Sequence, residues 1–386
     1  MLPATYPSEM KSFADPLTGR KITQLTDCPD HDSMHMYFTE NSFTRGGREV
    51  YFLSDRGTPG VRNVFSVNRD TGLITRVTGY TDYGVSVLTK DPGSMTLLYA
   101  HGREPILHDL KTGERQVVYA YPEGFSPGRV TLNCDHTMVG LLMNEDVGVG
   151  HGPNYAGYAE RMYRIKRSRV VFVPLENGRP GKPFLGVRES CETGHLQFSP
   201  VNPHLCMYCH EGPWHLVMQR IYLVDTRTLD VVPCFRQDVN DSVGHEFWTR
   251  DGRIFFDNRG PGRDGSITSD RVQAVAPEPV DSGFEPYVGF ADESGAVLHT
   301  TPLNHHLNHY HCGANSNLLV GDGVDDIIRV EITPEGARMA PLCHHGTSWI
   351  FDDVHCHPTV SWEDDAVLYA SDVSGKVQLY LTDWPG

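Results

Sequence analysis

The sequence predicts an all-β chain folded as a seven-bladed β-propeller, with the N-terminal strand closing the ring. Three observations carry this. Sustained helical periodicity is absent, and short runs rich in β-branched and aromatic residues alternate with Gly, Pro, Asn and Asp turns. One strand–loop–strand unit recurs seven times. The last unit lacks an outer strand that the N-terminus can supply.

The units follow in order. "EVYFLSDRG" leads to "NVFSVNRDTGLITRVT", and "TLLYAHGR" to "PILHDLKTGERQVVY". "MVGLLMNED" leads, past an insertion, to "SRVVFVPLENGRPGKPF", and "HLCMYCHEG" to "RIYLVDTRTLDVVPCF". "RIFFDNRG" leads to a weaker copy, "DRVQAVAPEPVDSGF". "NLLVGDG" leads to "IIRVEITPEGARMAPLC", and "AVLYASDVSG" to "VQLYLTDW". A spacing of roughly 45 to 65 residues suits propeller blades with insertions. Each unit has two faces to bury, and stacking in a ring covers both. The orphan "DPLTGRKITQLTD", about residues 15–27, matches the outer-strand pattern "NRDTGLITRVTG" and completes the last blade. Residues 1–386 therefore read as one domain. A two-domain β-sandwich protein is the competing architecture.

Composition limits the partners. The chain has 33 Lys+Arg against 49 Asp+Glu, a formal charge of −16. So acidic a surface argues against nucleic acid and anionic membranes. An anionic substrate would need local positive charge from a metal or a placed arginine. The N-terminus shows no apolar signal region, and no stretch approaches the ~18 apolar residues of a membrane span. The nine cysteines are scattered and odd in number, which suggests reduced thiols in a cytoplasm. "CMYCH", Cys206 to His210, has the spacing of a haem attachment site, but it lies in a strand-like run of a chain without an export signal.

In a propeller the innermost strand of each blade lines the channel, and here it precedes each signature strand. Five of these strands carry histidine near their start: "MHMYFTENSF", "TGHLQFSP", "VGHEFWTRDG", "NHYHCGANSN" and "VHCHPTVSW". They place His35, His195, His245, His309 (with His311) and the pair His355/His357 at one mouth of the channel. Strand alternation aims His355 and His357 at one point and turns Cys356 away. His309, one blade earlier, completes a three-imidazole face, and Asp352 is positioned to add a carboxylate. Nitrogen and oxygen ligands suit Mn, Fe(II), Ni or Zn. A hydrated channel that binds nothing is the plain alternative. His245 reads as too far from the trio to be a ligand, which frees it to act as a base. Arg220 is placed to hold a carboxylate. His210 and Glu211 at the fourth signature either contact ligand or fix the blade turn.

These residues resemble the bacterial oligogalacturonate lyases. The resemblance rests on "GHLQFSPVNPHLCMYCHEGPWHLVMQRIYLVD", "GHEFWTRDGR", "NHYHCGANSNLLVGDG" and "HHGTSWIFDDVHCHPTVSWEDDAVLYASDVSGKVQLYL". It is strong from about residue 190 to the end and weaker but traceable in the N-terminal part. It implies a seven-bladed propeller with a divalent metal, most often manganese. It implies cleavage of short oligogalacturonides in the cytoplasm by β-elimination, giving 4,5-unsaturated uronate products. His309, His355 and His357 become metal ligands, His245 the base and Arg220 the substrate arginine, with His195 and His210 expected at the substrate. One departure is Asp352, which stands where the family has a glutamine. The expected partner is a small acidic oligosaccharide, and the expected assembly a monomer or homodimer. Two other readings stay open: a metal-dependent lyase or hydrolase for a different oligouronide, and a non-catalytic propeller that binds protein partners.

Overall fold

The computed structural model describes residues 4–91, 93–271, 273–275 and 284–385. Seven antiparallel sheets of four or five strands stand in a ring as the blades of a β-propeller. The innermost strands, in chain order, are Ser33–His35, Val85–Lys90, Phe125–Leu132, Thr193–Phe198, Val243–Trp248, Tyr310–Cys312 and Thr359–Val360. Each pairs outward with the signature strand that follows it, for example Thr193–Phe198 with Leu205–His210.

The core is divided among the contacts between blades. Seven buried clusters each join two neighbouring blades. Phe52 and Phe65 of blade 1 pack on Leu368 and Leu379 of blade 7, and Phe172 of blade 3 on Tyr208 of blade 4. Phe255 and Phe290 of blade 5 pack on Tyr310 and Val330 of blade 6. Apolar residues of one sheet face thus meet those of the next, as a stacked ring requires.

Ring closure is as the sequence predicts, with more strands than expected. Lys21–Gln24, inside the predicted segment, pairs antiparallel with Gln378–Asp383 of the last blade. Lys11–Ala14 adds a fifth strand outside it. Thr5–Tyr6 then crosses to the outer edge of blade 1 and pairs with Ile74–Arg76. The N-terminal segment therefore laces blade 7 to blade 1, and Ile22 is buried in the interface between blades 6 and 7.

The fifth blade corrects the sequence reading. Its third and fourth strands are Tyr287–Ala291 and Val297–Pro302, not "DRVQAVAPEPVDSGF". Within that stretch Gln273–Val275 pairs with Arg263–Ile267 in a hairpin separate from the blade, and residues 272 and 276–283 lie outside the described residues. Apolar content alone does not separate a blade strand from an inserted one.

Candidate active site and metal centre

The predicted histidines meet in one cavity of about 450 Å³ at the mouth of the channel, lined by His35, His195, His245, His309, His355 and His357. That volume lies in the range of small-ligand sites. The route to convergence differs from simple alternation. His195 and His245 sit in bulges of their inner strands, where the ladder register shifts between Gly194 and Gln197 and between Gly244 and Phe247. Their φ angles are 45° and 47°, and His357 has 45°. Left-handed conformations of non-glycine residues cost of order 1–3 kcal/mol and cluster at functional sites. The bulge re-aims the side chain. The preceding glycine is needed for space: a Cβ on Gly194 would stand 2.1 Å from the Glu211 carboxylate, and one on Gly244 2.0 Å from the Trp214 ring.

His355 and His357 are not in a strand. Asp352–Val354 forms a 3-10 turn, and the inner strand begins only at Thr359. The two rings converge because the chain swings into the left-handed conformation at His357. Cys356 does turn away, into the core between blades 6 and 7.

His309, His355 and His357 present ring nitrogens that all lie within 4.8 Å of one another. Asp322, in the "VGDG" signature, orients the group. Its Oδ2 accepts from His309 Nδ1 at 2.9 Å and from the His357 backbone N–H at 3.3 Å. A carboxylate on Nδ1 fixes the proton there and leaves His309 Nε2 as the ligand atom. His355 Nε2 is buried without a hydrogen-bond partner, which fits a nitrogen built to bind a cation. Burial, with His309 beside it, lowers the His355 pKa to about 4. The same causes, joined by His355, hold His357 well below the ordinary value. His355 and His357 therefore stay neutral at physiological pH, as metal ligation requires. The residues present therefore fit a divalent cation with nitrogen donors.

Asp352 lies outside the three-histidine group. It lines the same cavity and accepts from His151 Nδ1 at 3.1 Å. Against the effect of burial, that bond and the nearby His355 hold its carboxyl below the usual range. His311 lies deeper, stacked on Phe247 and accepting from the Val360 N–H.

His245 is closer to the trio than the sequence reading allowed: its ring centroid is 4.3 Å from that of His309. Trp214 and Phe38 meet it edge-on. Arg259 Nη2 donates to its Nδ1 at 3.1 Å. Burial, then His309 and the Arg259 guanidinium beside it, depress its pKa well below 6.5.

Arg220 is 1% exposed and lines the cavity. Its Nε donates to Glu246 at 2.9 Å, and its Nη1 lies 3.5 Å from Glu211. His195 stands between the same carboxylates, 2.8 Å from Glu246 and 3.6 Å from Glu211. Arg220 and His195 hold Glu246 well below the ordinary carboxylate range despite its burial. His210 does not line the cavity. Its ring turns toward Glu189 of blade 3 and packs beside Tyr222 of its own blade.

Several site residues were not anticipated. Arg129 lines the cavity and lies over the Tyr37 ring at 3.9 Å. It makes no hydrogen bond or ion pair with the described residues. His151, Tyr155 and Tyr158 reach the cavity from the insertion of blade 3. Tyr155 Oη lies 3.4 Å from His355 Nδ1, and Tyr158 donates to Glu211 at 3.1 Å. Spacing gives no signal for such residues, because the insertion crosses the channel to blade 7. Asp322 and Glu246 were legible in principle, since Asp322 falls in the "VGDG" signature and Glu246 directly follows His245 in its inner strand.

Comparison with known proteins identifies the family. A family model described as "Oligogalacturonate lyase" matches residues 4–259, including the N-terminal half where the resemblance read from the sequence is weaker. An oligogalacturonide lyase of Pectobacterium atrosepticum is 24% identical over 98% of this chain and 97% of its own length. An oligogalacturonate lyase of Dickeya dadantii is 23% identical over 97% of this chain and 96% of its own. Among solved structures, an oligogalacturonate lyase in complex with manganese superposes with a TM-score of 0.81 at 24% identity, covering 100% of this chain and 98% of that one. An oligogalacturonate lyase from Vibrio parahaemolyticus superposes at 0.82 with 22% identity, covering 99% of this chain and 98% of that one. A match across two-thirds of the chain, on a ring whose histidines meet at one mouth, places this chain in the oligogalacturonate lyase family.

Proposed function

We propose that the protein cleaves short oligogalacturonides by β-elimination, with His309, His355 and His357 holding a divalent cation, manganese first among candidates, and His245 acting as base. The observation that carries this is the trio of converging imidazoles beside His245, with His355 Nε2 left unpartnered. The manganese complex of a structural neighbour supports the choice of metal.

The chemistry sets the demands. Elimination removes the C5 proton of a uronide, next to its carboxylate, and breaks the C4–O bond. The proton is weakly acidic because its loss adds charge to an anion. A bound cation supplies positive charge at that carboxylate. Arg220 adds to it from a fixed position: Glu246 clamps its Nε, while its Nη2 makes no hydrogen bond to the described residues. Arg129, which lines the cavity without an ion pair to the described residues, takes a second uronate carboxylate. His245 removes the proton through Nδ1, the nitrogen that carries the lone pair while Arg259 donates to it. Arg259 Nη2 also donates to the Leu307 and Asn308 carbonyls, so it stays paired when it yields Nδ1. Asp352 is a carboxylate coupled to His355 and serves as a further ligand once His151 releases it. His195 braces the Glu211–Glu246 pair that positions Arg220. The nine cysteines, all unpaired, support a reducing compartment such as the cytoplasm. No helix among the described residues is long and apolar enough to cross a membrane.

Product analysis tests the reading. Elimination from digalacturonate gives one unsaturated uronate, whereas hydrolysis adds a water and gives two saturated residues. Mass spectrometry showing only saturated products would replace the lyase assignment with a hydrolase.

A further inference from the structure

We propose a second cation site, for a zinc-class divalent ion, formed by Glu189, Cys191 and His210 between blades 3 and 4. The ligand atoms of these three residues lie within 4.8 Å of one another, and none of the three lines the central cavity. Strand alternation separates the two sites. Along Leu205–His210 and the residue after it, Glu211 faces the cavity, and His210, its neighbour, faces blade 3. The histidine of the "CMYCH" run thus acquires a use that neither haem nor substrate supplies.

The geometry suits an ion. His210 Nε2 lies 3.4 Å from Glu189 Oε1. That is long for a charge-assisted hydrogen bond, which closes to about 2.7–2.9 Å, and the nitrogen is shielded from solvent without a well-formed hydrogen bond. A tetrahedral ion with bonds of about 2.0–2.1 Å to nitrogen and oxygen sets those two atoms about 3.4 Å apart. Tyr208 donates to Glu189 Oε1 at 2.7 Å and steadies the carboxylate from behind. Ser168 Oγ donates to the Cys191 carbonyl and fixes that turn. All three side chains are half-buried, so an ion has a path in. On binding, the Cys191 thiol gives its proton to solvent and the thiolate becomes the sulfur ligand. Thiolate selects zinc-class ions over manganese, so the two sites differ in preference. The ion would tie the outer strand of blade 3 to the turn carrying Glu192, whose carboxylate pairs with Arg161 of the helix Tyr158–Arg164 at 2.5 Å.

Cobalt titration of the EDTA-stripped full chain tests this, because only a cobalt–thiolate bond gives a near-ultraviolet charge-transfer band. Wild type is expected to bind two equivalents, one of them with the band. Cys191→Ser is expected to lose the band, keep the other equivalent and retain lyase turnover, which also shows that it folds. A wild-type protein saturated with cobalt and lacking the band overturns the site. So does a band that survives Cys191→Ser and disappears in Cys209→Ser, which would move the thiolate to the cluster of His195, Cys209 and Glu211.

Discussion

Arg259 Nη2 donates to His245 Nδ1 at 3.1 Å, so the proposed base is held in one tautomer by a cation. An arginine only donates, and the lone pair of the neutral ring therefore lies on Nδ1. Removing the ring is expected to lower kcat about 10²–10⁴-fold, the usual contribution of a general base. His245→Ala should keep the metal, because the ligand group does not include it. Steady-state kinetics alongside metal analysis of the same preparation checks both halves. Near wild-type turnover would dismiss His245 as base.

The same environment sets the pH dependence. The sequence alone suggested loss of activity as pH falls through about 6.5, the free imidazole value. Burial, His309 and Arg259 move the His245 pKa down, so the base stays neutral at lower pH. The acid limb of kcat/KM is expected well below 6.5. Arg259→Lys should preserve this position and Arg259→Met should raise it. A limb at 6.5 in wild type would show that His245 does not titrate in this environment.

Stability should fall on acidification. His35 and His345 are buried, with pKa values lowered to about 4, and burial lowers His311 to about 3. Between pH 6.5 and 4 the unfolded chain binds protons that the native state refuses. Stability therefore rises with pH there, by up to about 1.4 kcal/mol per pH unit for each such group. Thermal melts from pH 7 to 4.5 should show a steep fall in Tm, and a flat series would contradict the neutral state of these rings.

Asp322→Asn tests the orientation of the metal ligands. An amide can donate to Nδ1 and so favour the wrong tautomer of His309. Loss of a carboxylate behind a ligating histidine costs about 10–100-fold in metal affinity. The measurement is manganese affinity by calorimetry, and an unchanged value would remove Asp322 from the site.

Arg129→Gln is expected to raise KM for oligogalacturonides several-fold with little change in kcat, if, as proposed, Arg129 holds a carboxylate away from the bond that breaks. A fall in kcat at unchanged KM would place Arg129 at the reacting sugar instead.

Much of this was legible in the sequence because the repeat repeats. Seven signatures fix seven blades, and a missing outer strand in the last predicts the pairing of Lys21–Gln24 with Gln378–Asp383. Histidines at equivalent positions of a ring meet whatever their separation in the chain, which is why His309 could be joined to His355 and His357. Local backbone was not legible. Alternation gave the right convergence of His355 and His357 for the wrong reason, since His357 turns in through a φ of 45°. His210 was misjudged because its neighbour Glu211, not His210 itself, faces the cavity. Arg129 and Tyr155 depend on a bulge and a crossing insertion, and neither leaves a periodic trace. The insertion of blade 5 imitated a blade strand because it shares the composition of one.

The most direct test of the central claim is absorbance at the unsaturated-uronate band while the purified protein is incubated with digalacturonate and Mn²⁺, with and without EDTA. The account predicts a steady rise that EDTA abolishes and added manganese restores. No rise in protein carrying stoichiometric metal would contradict elimination from galacturonides, and an equal rise in the presence of EDTA would contradict the metal's part in it.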